Sequence, residues 1–168
     1  LVGSEMCIRD RLFSGIGFAQ ESNNGKQLWA KSFLNEKAPE LTVETWISKK
    51  PDTEGKFVII DFWATWCGPC RKAIPELNEI AKEFSKDVVV IGISDEPVEK
   101  IKAMKEPVIE YYYGVDTKKT MDKILEIKGI PHVIIIDPKG IVRWEGFPLL
   151  ENHKLTPEVV KNLIEKYK

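Results

Sequence analysis

Two cysteines separated by two residues are the feature of this sequence most clearly suited to chemistry. Cys67 and Cys70 lie in WATWCGPC, inside an otherwise apolar stretch, and a third cysteine, Cys7, lies far from them. A pair at this spacing can form a structural disulfide, supply half of a metal site, or act as a dithiol that exchanges electrons with other proteins. These alternatives need different neighbours, so the surrounding residues must decide among them.

A strand followed by a helix is predicted to carry the pair. FVIIDFWA, residues 57–64, is a continuous apolar run of strand length, which is typical of a central strand covered on both faces. Residues 68–85 carry apolar side chains at helical spacing. Cys67 would lie just before this helix, where unpaired amides and the positive end of the helix dipole stabilise a thiolate. We therefore expect Cys67 to attack and Cys70, one turn deeper, to resolve the mixed disulfide.

The residues next to the cysteines are predicted to shape a docking surface for substrates. Pro69 stiffens the first helical turn without removing a needed amide. Gly68 is expected to leave the Cys67 sulfur uncovered, and Trp66 is expected to contact the substrate.

Asp61 is the second informative residue, because a carboxylate inside an apolar strand is costly unless it is paired or neutral. Six residues before Cys67, it should point into the core beneath the helix. Burial should raise its pKa, which would make it a base that takes the proton from Cys70. The alternative is an aspartate at the end of the strand, paired with Lys56 or Lys82.

A third candidate element lies far along the chain, in GIPHVIIID, residues 129–137. Proline is tolerated at the first residue of a strand, which is one interpretation of Pro131. The other interpretation is a cis peptide between Ile130 and Pro131 that turns the backbone toward the cysteines. It would offer the Ile130 amide and carbonyl to an extended substrate segment.

The remaining pattern predicts an α/β fold. A first strand is predicted at residues 39–48, a second buried strand at 87–94, and a strand or extended connector at 108–116. Helices are predicted at 97–106, at 117–128 with Gly129 as its end signal, and at 157–167 with Thr156 as its cap. Asp-Pro-Lys-Gly between two late strands predicts a hairpin. Together these elements indicate a central mixed β-sheet with helices on both faces.

Composition excludes several classes of protein. The chain has 168 residues, 43% of them hydrophobic and 30% charged, which suits one soluble domain. With 25 basic and 26 acidic residues spread along the sequence, it shows no basic face for nucleic acid or for a membrane surface. No apolar run reaches the roughly 18 residues of a membrane span. A monomer is expected.

The N-terminal residues call for separate treatment. Residues 1–11, which include Cys7, have no helical or strand period and resemble translated sequencing-adapter segments, so they are interpreted as non-native. Residues 12–19 look like the remnant of an export signal, with Gly17 and Ala19 where a signal peptidase needs small side chains. The alternative is a disordered arm. Residues 20–37 are expected to be a lead-in segment to a domain at 38–168, and the predicted location is periplasmic or otherwise exported.

The combination of motifs resembles the thioredoxin family. WCGPC has Asp61 six residues before its first cysteine, Pro75 five residues after its second, and an Ile-Pro pair entering a late strand. WATWCGPCRKAIPEL and HVIIIDPKGIVRWEG are most similar to the exported TlpA/ResA branch, and the resemblance covers residues 38–168. It implies a thioredoxin fold with an extra N-terminal strand region and a helix-plus-strand insertion at about residues 97–113.

The resemblance also implies an activity. It implies thiol-disulfide exchange with client proteins that carry disulfides, with no cofactor or metal beyond the Cys67–Cys70 dithiol, and it favours the cis form at Pro131. Ala73 stands where members of the branch place a glutamate, so Asp61 would be the remaining buried acid, and specificity for haem maturation loses support. Gly-Pro between the cysteines resembles thioredoxin, whose potential is about -270 mV, which predicts a reductant. An exported reductant would need a membrane electron donor.

Rival interpretations are less well supported by the residues. His132 and His153 could join the cysteines around zinc, but their spacing fits no zinc module, and an iron–sulfur cluster requires four thiolates. A structural disulfide that closes so small a loop would remove little entropy from the unfolded chain. A peroxiredoxin-like thiol peroxidase shares the fold, but its proline and threonine ahead of the cysteine are not matched. A redox-inert binding or chaperone module would have no need for both cysteines.

Overall fold

A strand of almost entirely apolar residues lies at the centre of the fold. The computed structural model describes residues 28–168, and the expectations for residues 1–27, namely the adapter segment, the export-signal remnant and the start of the lead-in, lie outside them. The strands are β1 Thr45–Trp46, β2 Phe57–Phe62, β3 Val88–Ser94, β4 Tyr112–Val115, β5 His132–Ile136 and β6 Val142–Gly146. The helices are α1 Gly68–Glu83, α2 Val98–Ala103, α3 Thr120–Leu125 and α4 Pro157–Tyr167, with a 3-10 turn at Glu151–His153.

The sheet is mixed, as predicted. Its strand order is β1-β4-β3-β2-β5-β6. The pairs β2–β3 and β3–β4 are parallel, and the other three pairs are antiparallel. The predicted hairpin is the β5–β6 pair. The predicted fold class, a mixed sheet flanked by helices, is confirmed.

Alternation along β2 divides the buried side chains between two cores. Phe57, Ile59 and Trp63 belong to a cluster that includes the buried faces of α1 and α4. Ile60 and Phe62 belong to a second cluster with the buried residues of α3. Because successive side chains of a strand point to opposite faces, Asp61 lies on the face that α1 covers.

The N-terminal strand region is shorter than predicted. Of the strand expected over residues 39–48, only Thr45 and Trp46 form ladder pairs, with Val115 and Gly114 of β4. The physical reason is that β4 has only four residues, so it offers few partners. Val43 packs against the core without joining a strand, and it approaches Gly114 so closely that a Cβ there would lie 2.6 Å from it.

Helix α3 also ends earlier than predicted. Its last residue is Leu125, and Glu126, rather than Gly129, ends the helix in the left-handed conformation. The Ile127 amide donates to the Asp122 backbone carbonyl at 3.0 Å, and the Lys128 amide donates to the Trp29 carbonyl at 2.7 Å. The residues that follow α3 are thus held by the lead-in rather than by a longer helix.

The insertion is anchored on the outer face of α1. After α2, the Arg71 guanidinium donates to the Glu106 carbonyl at 2.7 Å. The Asn78 amide donates to the Val108 carbonyl and accepts from the Glu110 amide, both at 2.9 Å. These contacts hold residues 106–110 along the helix that carries the cysteines, and the segment then enters β4.

None of the helices found between residues 28 and 168 has the length and apolar character needed to cross a membrane.

Candidate active site

The two cysteines are joined in a disulfide at the start of α1. Their Cα atoms lie 5.2 Å apart. Cys67 is the N-cap residue, and its sulfur accepts a hydrogen bond from the Cys70 amide at 3.2 Å. An amide that has no partner within the helix thus points at the Cys67 sulfur, which is the environment predicted to stabilise a thiolate. Cys70 is fully buried, as expected of a resolving cysteine.

The prediction of an uncovered Cys67 sulfur is wrong for the disulfide form. Cys67 is only 3% exposed, because its side chain turns toward Cys70 and packs within the core cluster under α1. Gly68 and Pro69 are exposed, and nothing lies within 4 Å of the place a Gly68 side chain would occupy. Trp66 is 68% exposed and is the most exposed of the large apolar side chains described. The predicted docking residues therefore do lie at the surface around the pair.

Asp61 is fully buried on the face that α1 covers. Its Oδ2 accepts a hydrogen bond from the Tyr111 hydroxyl at 3.2 Å, and its Oδ1 has no hydrogen-bond partner among residues 28–168. Burial raises the pKa of Asp61 to about 7, against a smaller lowering effect of the Tyr111 hydrogen bond. The alternative pairing with Lys56 or Lys82 is not formed in this structure.

The Ile130–Pro131 peptide is cis, as the resemblance implied. Pro131 is buried immediately before β5, and Ile130 is half-buried. Ile130 and Trp66 line the same cavity of about 190 Å³, together with Phe62 and Ile93. The structure thus brings together the Trp66 and Ile130 side chains, although 64 positions separate them in the sequence.

Glu96 is a site residue that sequence reasoning missed. Its carboxylate accepts hydrogen bonds from the Thr65 amide at 2.5 Å and the Thr65 hydroxyl at 2.9 Å, and it forms an ion pair with Lys100 at 2.6 Å. Burial raises the pKa of Glu96, but the hydrogen bonds from Lys100 and Thr65 outweigh burial, and the net shift is downward. Glu96 therefore fixes the loop two residues before Cys67. The available signal was that β2 and β3 are parallel, so the residues after them meet at one edge.

Tyr111 is the second residue that was missed. In the sequence it is one of three consecutive tyrosines, a pattern that strand propensity favours as ordinary sheet packing. In the structure it is buried and reaches Asp61, and the burial and the adjacent carboxylate raise the pKa of its hydroxyl well above the usual value.

Metal ligation was not expected, and the described residues include no group of three or more His, Cys, Asp or Glu side chains that could hold a metal ion. His153, a zinc candidate, stacks on Trp144 with ring centroids 4.7 Å apart, and its Nε2 lies 2.9 Å from the Glu145 carbonyl.

Comparison with known proteins assigns this site to a family. The family model described as AhpC/TSA matches residues 34–145. The chain belongs to the AhpC/TSA family. Within it, the chain is similar to the thioredoxin-like protein YneN of Bacillus subtilis, with 27% identity over 115 residues, which is 64% of this chain and 68% of YneN. It is also similar to the thiol-disulfide oxidoreductase ResA of Bacillus subtilis, with 26% identity over 62% of each chain.

Solved structures support the same assignment. The thioredoxin domain of a thiol-disulfide oxidoreductase from Bacteroides vulgatus superimposes with a TM-score of 0.62 and 27% identity, covering 80% of this chain and 96% of that domain. The predicted resemblance to thioredoxin-like proteins of the TlpA/ResA type is confirmed, and so is the predicted class of activity, thiol-disulfide oxidoreduction. The match to ResA spans less than two thirds of that protein, so substrates and partners are taken up below as proposals.

Proposed function

We propose that this AhpC/TSA family member reduces disulfides of exported client proteins through Cys67 and Cys70. The observation that carries the proposal is the disulfide at the N-terminus of α1, with a buried Asp61 on the same face of the sheet. A structural staple or a metal ligand would need neither the amide directed at the Cys67 sulfur nor a buried acid with a raised pKa.

The reaction begins with the reduced pair. The Cys67 thiolate attacks one sulfur of a client disulfide, forms a mixed disulfide and releases the other client sulfur as a thiolate. Asp61 then takes the proton from the Cys70 thiol, and the Cys70 thiolate attacks the Cys67 sulfur. This step closes the Cys67–Cys70 disulfide and releases the second client thiolate, so that two electrons pass from the chain to the client.

The surface around the pair supports docking of an extended client segment. The exposed Trp66, with Gly68 and Pro69, would flank the client sulfur, and the backbone at Ile130 and Pro131 would pair with the client chain. The cavity shared by Trp66 and Ile130 offers a place for a client side chain next to its cysteine.

The charges near the sulfurs support the proposed direction of electron transfer. Strong oxidants stabilise their reduced form, which requires a strongly stabilised thiolate. The donor to the Cys67 sulfur is the uncharged Cys70 amide, and Asp61, which is buried on the face that α1 covers, opposes a second negative charge when it is ionised. These surroundings favour a reductant, which in an exported compartment would receive electrons from a membrane donor.

Reduction of insulin disulfides, with a dithiol as electron source, tests this function. The wild-type chain should catalyse insulin reduction, and Cys70→Ser should accumulate a mixed disulfide that the matched Cys67→Ser variant does not form. Absence of dithiol turnover in the folded wild-type protein would reject the proposal. Consumption of hydrogen peroxide that depends on Cys67, without insulin reduction, would support the peroxidase alternative instead.

A further inference from the structure

The hydrogen bond between Tyr111 and Asp61 joins the insertion to the buried acid. Tyr111 lies 50 positions after Asp61, between the residues that α1 anchors and the start of β4. From there its hydroxyl donates to Asp61 Oδ2 in the fully buried space under α1. We propose that Tyr111 is a positioning residue, which holds Oδ2 so that Oδ1 is the atom that accepts the proton from Cys70. This inference rests on the role proposed above for Asp61.

Gly92 makes the arrangement sterically feasible. It lies opposite Asp61 in the β2–β3 register. A Cβ at this position would be 3.1 Å from the Tyr111 ring and 3.0 Å from Trp63 Nε1, which is tighter than ordinary packing. The missing side chain on β3 therefore provides the space that the Tyr111 ring fills next to the carboxylate.

The two carboxylate oxygens of Asp61 differ in their hydrogen-bond partners, and this difference points to Oδ1 as the proton acceptor. Oδ2 is occupied by the Tyr111 hydroxyl, whereas Oδ1 is buried with no partner in the described part of the chain. A buried acceptor without a partner is costly, and in a native protein such an atom calls for a functional explanation. A proton transferred from Cys70 to Oδ1 would leave the Tyr111 bond to Oδ2 in place.

The neighbouring strands place no titratable side chain beside Asp61, and its hydrogen bond comes from Tyr111. On β3 and β5 the residues at the same register are Gly92 and Val133, which do not titrate. Helix α1 covers this face of the sheet, and Cys70 is one of the residues that α1 buries there.

Basic groups lie farther out, around a second cavity. Tyr111 lines this cavity of about 520 Å³, which also has three lysines in its lining: Lys49, Lys56 and Lys82. Tyr111 thus lies between the buried acid and a polar cavity, where the acid could later exchange its proton with water.

A phenol that donates to a carboxylate stabilises the ionised form, so its removal should raise the pKa of Asp61. Even the weaker hydrogen bonds to a charged group shift the pKa of that group by about one unit. Tyr111→Phe should therefore shift the pH midpoint of mixed-disulfide resolution upward by about one unit, and at neutral pH slow resolution about five-fold.

Single-turnover resolution, followed from a mixed disulfide preformed at Cys67, tests the proposal in four proteins: wild type, Tyr111→Phe, Asp61→Asn and the double variant. Tyr113→Phe is the matched control, because this tyrosine packs against the same cluster but forms no hydrogen bond to Asp61. We expect the upward shift in Tyr111→Phe, none in Tyr113→Phe, and no further effect of Tyr111→Phe when Asp61 is already Asn.

The outcomes separate the two proposals. A Tyr111→Phe profile that matches wild type, or a shift that persists in the Asp61→Asn background, would overturn the positioning role of Tyr111 while leaving disulfide reduction intact. If Asp61→Asn alone leaves the rate and the pH profile unchanged, the role of Asp61 fails, and the role of Tyr111 fails with it. Reduction of insulin measured on the same preparations tests the exchange activity independently.

Discussion

Replacement of Asp61 by Asn should make the protein more stable at alkaline pH. Asp61 is fully buried, and its pKa in the folded protein is raised from 3.8 to about 7 by burial. In the unfolded chain it should titrate near its ordinary value, so between these two pKa values the folded protein binds the extra proton. Stability is therefore highest below the unfolded pKa and is lost as the pH rises through the folded pKa.

The size of the effect follows from the two pKa values. One pKa unit corresponds to about 1.4 kcal/mol, so Asp61 should remove about 3 kcal/mol of unfolding free energy between about pH 5 and about pH 8. Asn has nearly the same shape and can still accept from Tyr111, but it does not titrate. The Asp61→Asn curve should therefore lack this decline, and the variant should exceed wild type most at the alkaline end.

Urea unfolding of the oxidised proteins across this pH range is the assay. Asp137→Asn is the matched control, because Asp137 is also a buried aspartate, but its pKa is lowered. Burial opposes that shift, and the bonds from the Ile141 amide and the Arg143 guanidinium outweigh it. Asp137 should thus titrate only below its ordinary pKa. Above about pH 5, its replacement should shift the unfolding free energy by a constant amount and leave the dependence of that energy on pH unchanged. Parallel wild-type and Asp61→Asn curves would refute a raised pKa for Asp61.

Two further variants test the surroundings of the cysteines. Glu96→Ala removes both acceptors that hold the active-site loop and should lower the free energy of unfolding by about 2 kcal/mol, whereas Glu99→Ala, on the exposed surface nearby, should change it by less than about 0.5 kcal/mol. If urea unfolding shows equal losses of unfolding free energy for the two variants, Glu96 does not hold the active-site loop. Trp66→Ala should raise the KM for a reducible protein client about ten-fold without altering the pKa of the Cys67 thiol, which iodoacetamide kinetics measure. An unchanged KM would exclude Trp66 from client docking.

The features that could be predicted from the sequence depend on local patterns. The apolar run of β2, the helical period of α1 and the hairpin before β6 are each encoded within a short stretch. The burial of Asp61 followed because it interrupts such a run. The N-terminal strand was overpredicted, because alternation shows which residues could pair but not how many partners β4 would offer.

The missed contacts are long-range. Glu96 binds Thr65 across 31 positions, and Tyr111 binds Asp61 across 50. Neither contact has a local period. The Glu96 contact depends on the parallel pairing of β2 and β3, and the Tyr111 contact depends on how the insertion lies against α1 and on the space at Gly92. Knowledge of the fold would have placed Glu96 at the edge where parallel strands end, but the approach of Tyr111 depends on side-chain packing.

The redox potential of the Cys67–Cys70 pair is the most direct test of the proposal that this protein reduces its clients. Equilibration of the folded protein in glutathione or dithiothreitol buffers, with thiol trapping to separate the reduced and oxidised forms, measures this potential. We predict a value near that of thioredoxin, about -270 mV. A value above about -180 mV, the range of catalysts that form disulfides, would contradict the proposed direction of electron transfer.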